Sequence, residues 1–321
     1  MKKIGIFCGG YSSEYEISIQ SATTILNNFP DGYDVFLITV KKEQWTALYK
    51  GTESIIDLNN LAFKYQGEGI ILDYGLVYIH GNPGENGKLQ AFLEMKGIPC
   101  INSGALASEL SFDKWYCNQF LKGFGIPVAK SIFMTSIGQF SNEHIISELG
   151  LPIFVKPSDS GSSYGISKVK TAQDLTPAIE IAFKEGRTIL LESFLDGTEV
   201  TCAAYRTKDG IKTLPLTEIS TENDFFDYNA KYKGEAQEIT PARISDDLRD
   251  IVQKQTKYIY EVLQLRSISR IDFMIVNNTP VVIEVNTTPG FAKASIAPKM
   301  IACEGKTIKE FWTEILEEEI R

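Results

Sequence analysis

Asp272 opens one apolar run of the chain, and Glu284 and Asn286 close the next, within RIDFMIVNNTPVVIEVNTTPG (residues 270–290). The runs FMIV and VVIEV flank Asn277-Asn278-Thr279-Pro280, a turn sequence, so the segment reads as a hairpin. Side chains alternate along a strand, which puts Glu284 and Asn286 on one face and Val285 on the other. Carboxylates on so apolar a strand are costly unless a cation sits between them. An oxygen-only set without His or Cys suits a hard ion such as magnesium. Taken alone, the three also read as ordinary polar residues at strand ends.

Three glycine loops carry further chemistry. In GIFCGGYSSE the glycines Gly5, Gly9 and Gly10 do not form G-x-G-x-x-G, so a dinucleotide site is not indicated. The loop precedes a helix, and with Glu14 beside it a zwitterion would fit, its carboxylate on backbone N–H groups and its ammonium on Glu14. In KPSDSGSSYG the lysine precedes the glycines and strands flank the loop, which is a phosphate-covering hairpin and not a Walker loop. Ser162 and Ser163 offer hydroxyl and N–H donors there, and Lys156 a point charge. HGNPGENG places His80 and Glu85 at the end of a strand, where wound sheets bind ligands. Each loop also has a plain structural reading, as a turn or a hydrogen-bonded loop histidine.

These loops need elements to hold them. KKIGIF, YDVFLITV, GLVYIHG and IPCI read as strands, and EYEISIQSATTILNNF and KLQAFLEMKG as helices, the alternation of a parallel, wound α/β domain up to about Asn102. Helical stretches follow through DKWYCNQFLKGFG. The strands IFVKP and ISKV bracket the phosphate loop, and Thr171 caps a helix to about Lys184. RTILLESF opens a largely antiparallel region with EVTCAAYR and IKTLPLTEI. Residues 220–245 are polar, aromatic and aperiodic, a length of loop that is usually functional or disordered. A helix, the hairpin and a C-terminal helix complete the chain.

With 321 residues the chain exceeds one compact core, so two or three domains are expected. A net charge of −9 argues against a general nucleic-acid or anionic-membrane partner. No apolar run approaches the roughly 20 residues of a spanning helix. The start MKKIGIFCGG has too short an apolar run for an export signal and reads as the first core strand. Five dispersed cysteines without C-x-x-C spacing fit a reducing cytoplasm, and the two histidines, His80 and His144, exclude a His-rich zinc site.

Taken together, the segments resemble the ATP-grasp fold and, more narrowly, the D-alanine–D-alanine ligase family, over nearly the whole chain. GGYSSEYEIS resembles the family's first substrate loop, HGNPGENGKLQAFLEMKGIP its second glycine segment, and FDKW its central lysine, Lys114. GLPIFVKPSDSGSSYGISKV matches its phosphate hairpin, DFFDYNAKY its omega loop and RIDFM with EVNTTPG its metal hairpin. The resemblance implies three domains of α/β and α+β type. They are a wound N-terminal domain (1–102), a small central α+β domain (103–190) and a mostly antiparallel C-terminal α+β domain (191–321). It implies ATP-dependent joining of two D-alanine molecules through an acyl phosphate, for peptidoglycan precursors, with two Mg2+ ions (or Mn2+). The enzyme would be cytoplasmic and homodimeric.

The resemblance also implies roles. Asp272, Glu284 and Asn286 would hold the metal, and Lys114 and Lys156 the ATP phosphates, with Ser163 of the covering loop. Glu192 would meet the adenine amino group and Glu199 the ribose, while Lys231 of the omega loop would close over the phosphates. Glu14 would bind the first D-alanine's ammonium, with His80 nearby, positioned through Ser162 and Tyr232. Arg270 would stabilise the acyl-phosphate and tetrahedral states, and Ser295, with Gly290, would hold the second substrate. Two departures stand out: PGFAK, with Phe291 and Ala292, replaces the family's usual P-G-M-T, and Ser193 stands where a lysine often follows the adenine-contacting acid. The competing readings are another ATP-grasp carboxylate–amine ligase, a variant joining D-alanine to a different second substrate, and a non-catalytic nucleotide-binding module.

Overall fold

Lys2–Gly9 (β1) alternates little because both its faces are covered, and six of its eight residues are buried. The computed structural model describes residues 1–159, 161, 164–221 and 236–320. In β1 the first glycine loop begins at the carboxyl end, followed by α1 (Tyr15–Asn27) and β2 (Tyr33–Val40). Antiparallel β3 (Trp45–Tyr49) and β4 (Thr52–Ile55) extend this sheet, β5 (Phe63–Tyr65) and β6 (Glu68–Ile70) form a small hairpin, and β7 (Tyr74–Val77) returns beside β1. The order is β4-β3-β2-β1-β7, with β1 parallel to β2 and β7. The parallel part is as the sequence indicates, and the antiparallel edge is an addition. IPCI contributes one bridge, Gly75 with Cys100, in place of a strand.

After α2 (Lys88–Met95) come α3 (Ala105–Phe112) and α4 (Lys114–Gly123), then β8 (Ser131–Met134), α5 (Asn142–Leu149), β9 (Ile153–Pro157), β10 (Ser167–Val169), α6 (Leu175–Glu185) and β11 (Ile189–Ser193). These four strands form an antiparallel sheet in the order β10-β9-β11-β8. RTILLESF, which straddles the expected boundary between residues 190 and 191, is thus part of this sheet through β11. Thr171 leads into a 3₁₀ turn (Ala172–Asp174) before α6 starts.

The third sheet is antiparallel and contains β12 (Thr198–Thr207), β13 (Gly210–Thr213), β14 (Thr217–Thr221) and β15 (Ala236–Ile239). Beyond α7 (Asp246–Val262), β16 (Ile268–Val276) and β17 (Thr279–Asn286) complete it in the order β15-β14-β12-β16-β17, with β13 beside β12. Two helices follow, α8 (Ile296–Cys303) and α9 (Ile308–Glu319). A capping box between Thr307 and Glu310 starts α9.

The apolar cores cross the sequence divisions. α3 and α4 supply Ala107, Cys117 and Leu121 to a core made with β12, α7 and β16 of the third sheet. Ile4, Ile6, Ile25 and Tyr78 of the first sheet's layer share another with Tyr205, Phe291, Phe311 and Trp312. Four of the five cysteines are buried, and burial pushes the thiols of Cys8, Cys100, Cys117 and Cys202 up to about 12, so they act as small apolar side chains. Among the described residues no helix is long and apolar enough to cross a membrane.

Candidate active site

The β16–β17 ladder pairs Arg270 with Asn286 and Asp272 with Glu284, so all four start on one face. The register slips between Asp272 and Phe273, with Phe273 opposite Val282. Such a bulge bends the hairpin next to the site. Arg270 forks onto Asp272, Nε to Oδ1 at 2.9 Å and Nη2 to Oδ2 at 2.8 Å. Thr201, opposite Asp272 on β12, donates its hydroxyl to Oδ1, and the Asn286 amide donates to Oδ2 at 3.1 Å. These four donors match the roughly four lone-pair directions of a carboxylate. Burial works against the Arg270 charge, but Asp272, with Glu284 and Glu238, more than offsets it and holds the guanidinium above its ordinary range.

Lys114 starts α4 beside this hairpin, its Nζ 3.9 Å from Glu284 Oε2. Asp113 caps the helix by accepting the Tyr116 N–H at 3.1 Å, and also accepts the Ser158 hydroxyl at 2.6 Å. The Lys114 N–H donates to the Ser158 carbonyl at 2.9 Å, which stitches the helix start to the mouth of the β9–β10 hairpin. From β9 Lys156 forms a buried ion pair with Glu192 of β11, whose other oxygen accepts the Asn118 amide at 2.8 Å. Asn118 is four residues beyond Lys114 on the same helix, so one face of α4 serves both pairs.

At the opposite wall the two N-terminal loops meet. The Ser12 hydroxyl accepts the Glu14 N–H at 3.2 Å and donates to the His80 carbonyl at 2.7 Å. Gly161, in the loop between β9 and β10, lies so close to Glu14 that a Cβ there would stand 3.3 Å from its Oε2. Glu85 accepts the Gly81 N–H at 2.8 Å; burial first, then Glu14, pushes its carboxyl up to about 8. Burial lowers the pKa of His80 although Glu14 opposes this, so the ring is neutral at pH 7. Ser295 is the N-cap of α8, yet its hydroxyl makes no cap hydrogen bond, and a Cβ on Gly290 would be 3.1 Å from Oγ. A helix N-terminus with a hydroxyl beside it suits a carboxylate.

One cavity of about 800 Å3 joins these walls, lined among others by Glu14, His80, Lys114, Lys156, Glu192, Glu199, Arg270, Glu284, Asn286, Gly290 and Ser295. Its size is within the range of small-molecule sites. The residues that could hold a metal, Asp272, Glu284 and Asn286, are hard oxygen donors; among the described residues no third His, Cys, Asp or Glu joins the two acids.

Two family models cover most of the chain: the D-ala D-ala ligase N-terminus over residues 3–103 and the D-ala D-ala ligase C-terminus over residues 120–317. The chain belongs to the D-alanine–D-alanine ligase family. A D-alanine–D-alanine ligase of Parabacteroides distasonis is 42% identical over 323 residues, spanning 100% of this chain and 98% of its own. Among solved structures, the VanG D-Ala:D-Ser ligase of Enterococcus faecalis superposes with a TM-score of 0.88 at 29% identity, covering 99% of both chains. The D-alanine–D-alanine ligase of Bacillus anthracis complexed with ATP gives a TM-score of 0.80 at 26% identity, over 100% of this chain and 98% of that one. The architecture of three large sheets and one small hairpin is therefore the ATP-grasp fold of the D-alanine–D-alanine ligases.

Of the residues that likeness to the D-alanine–D-alanine ligases singles out, Ser162, Ser163, Lys231 and Tyr232 lie outside the described residues. The others line the cavity, except Asp272, which stands behind Arg270 on the hairpin. The PGFAK departure divides in two: Phe291 is fully buried against Tyr78, Phe311 and Trp312, and Ala292 lines the cavity. Thr201 and Asn118 are supporting residues that the sequence reading did not single out. For Asn118 the i, i+4 spacing from Lys114 was the available signal; for Thr201 there was none.

Proposed function

We propose that the protein joins two D-alanine molecules into D-alanyl-D-alanine, consuming ATP and releasing ADP and phosphate, as a step in making peptidoglycan precursors. What supports this most is that one cavity unites Lys114 and Lys156 with the Arg270 hairpin and with Glu14. A carboxylate is a poor electrophile. Transfer of the γ-phosphoryl group to the first D-alanine's carboxylate makes an acyl phosphate. The second D-alanine's amine, having lost a proton, attacks the carbonyl, and phosphate leaves.

In this reading Lys114 and Lys156 hold phosphates, Glu192 the adenine amino group and Glu199 the ribose. Lys156 does so while sharing its charge with Glu192, which keeps both buried groups paired. Glu14 takes the first ammonium, with His80 nearby. Ser295 and the start of α8, beside Gly290, take the second carboxylate. Arg270 offsets charge on the transferred group and the carbonyl oxygen. Asp272, Glu284 and Asn286 would hold Mg2+, or Mn2+, which when bound would neutralise phosphate charge. Turning the Asn286 amide would present its oxygen to the metal and free Oδ2 of Asp272 in one movement.

The same reading carries a cytoplasmic homodimer. Phosphate release from ATP, with a panel of D- and L-amino acids, D-serine and D-lactate, and the product mass, tests the activity. Release that depends on D-alanine, with D-alanyl-D-alanine as the main product, is expected. Release with L-amino acids alone, or a depsipeptide as main product, would refute the assignment. Sedimentation velocity checks the dimer.

A further inference from the structure

The face that α1 turns inward carries two fully buried serines, Ser18 and Ser21, beside Ala22 and Ile25. Buried hydroxyls are costly unless bonded. Ser18 is accounted for by the scaffold: it accepts the Gly9 N–H at 2.8 Å and donates to the Tyr78 carbonyl at 2.7 Å. Ser21 faces something else. It accepts the N–H of Phe291 at 3.1 Å, from the loop between Gly290 and Ser295, and lies 3.2 Å from Nε2 of His80.

We propose that Ser21 is a positioning residue for both D-alanine sites: its hydroxyl fixes the His80 tautomer and ties the Ser295 loop to the helix that follows Glu14. A hydroxyl has one proton. The Phe291 N–H must donate to Ser21, because an amide nitrogen does not accept. Ser21 could still accept a second proton, but the ring donates to the Thr288 backbone, and a neutral ring has one proton to give. Nε2, the nitrogen that faces Ser21, then serves as acceptor of the Ser21 proton. Burial keeps the ring neutral against the pull of Glu14, and the positive Arg270 acts in the same sense as burial. The single ring proton is therefore on Nδ1. One side chain thus couples the orientation of His80, at the first substrate, to the main-chain path that places Ser295, at the second. The substrate assignment rests on the ligase reading above; the tautomer does not.

Long-range 1H–15N NMR of 15N-histidine-labelled protein reads the tautomer directly. The chain has two histidines, and His144→Gln, on the exposed face of α5, assigns the pair. Wild-type His80 is expected to show an unprotonated Nε2 and a protonated Nδ1; a protonated Nε2 would overturn the proposal. In kinetics, Ser21→Ala should raise KM for D-alanine at both sites about tenfold, the scale of one hydrogen bond, with KM for ATP unchanged. Ser21→Thr, which keeps the hydroxyl, should recover most of that loss. Unchanged D-alanine constants in Ser21→Ala, an equal rise for ATP, or no difference between the two variants would overturn it. Failure of wild-type protein to form D-alanyl-D-alanine would instead remove the ligase reading and leave the NMR result to decide the tautomer.

Discussion

Burial and the nearby Glu14 push the Glu85 carboxyl up to about 8, so the folded protein keeps a proton there at neutral pH that the unfolded chain releases. A carboxyl with a raised folded value contributes fully below its unfolded value, near 4.5, and loses that contribution as pH rises through about 8. The melting temperature should therefore fall over this window, and Glu85→Gln, which stays neutral and can still accept the Gly81 N–H, should flatten the fall in pH-dependent thermal melts. At the hairpin, Asp272→Asn and Glu284→Gln should both reduce turnover on the order of 100-fold, the scale of one lost electrostatic contact to a transition state. Their stabilities should differ. Asp272→Asn leaves the Arg270 charge buried without its carboxylate partner and should cost about 3 kcal/mol in urea titration. Glu284, a quarter exposed, should cost little on neutralisation. The facing acids and the amide were legible in the sequence because alternation along a strand is local. Thr201 and Ser21 were not, since each matters through a neighbour some 70 to 270 positions away.

The loop that bears His80 and Glu85 is held against α3 at one point of very close approach. Gly87 has φ +70, and a Cβ there would stand 2.3 Å from the Ala105 carbonyl oxygen. Gly87→Ala should therefore shift the loop and weaken D-alanine binding more than ATP binding, and separate KM values check this. Strain in the left-handed region adds to the clash, so a loss of about 1 kcal/mol or more in stability is expected as well. β1, α1, β2 and the β16–β17 hairpin could be read from periodicity and turn chemistry, since each is long and its pattern clean. β3 to β6 escaped that reading because they are strands of three to five residues, too short to show a period. The placement of β11 escaped it for another reason: a strand's own residues do not say which sheet edge it joins, and β11 finds partners in β8 and β9.

Across the whole molecule, the first sheet's layer and the last two helices share a core, in which Trp312 of α9 lies against Tyr78 and Phe291. Trp312→Ala should cost about 3–5 kcal/mol, the usual range for emptying so large a buried volume. Because the lost contacts serve both ends of the chain, far-UV circular dichroism and tryptophan fluorescence should report one lowered transition and not a separate early melting of either end. The same shared core has a bearing on how the protein is made. Chains are synthesised from the N-terminus, and their parts begin folding as they emerge. Here β1, translated well before α9, has Ile4 and Ile6 in a core that Phe311 and Trp312 complete. α1, made directly after that strand, covers part of its apolar face through Ala22 and Ile25, but the core closes only when the much later α9 has been translated, and in that interval the remaining apolar surface is open to misassociation.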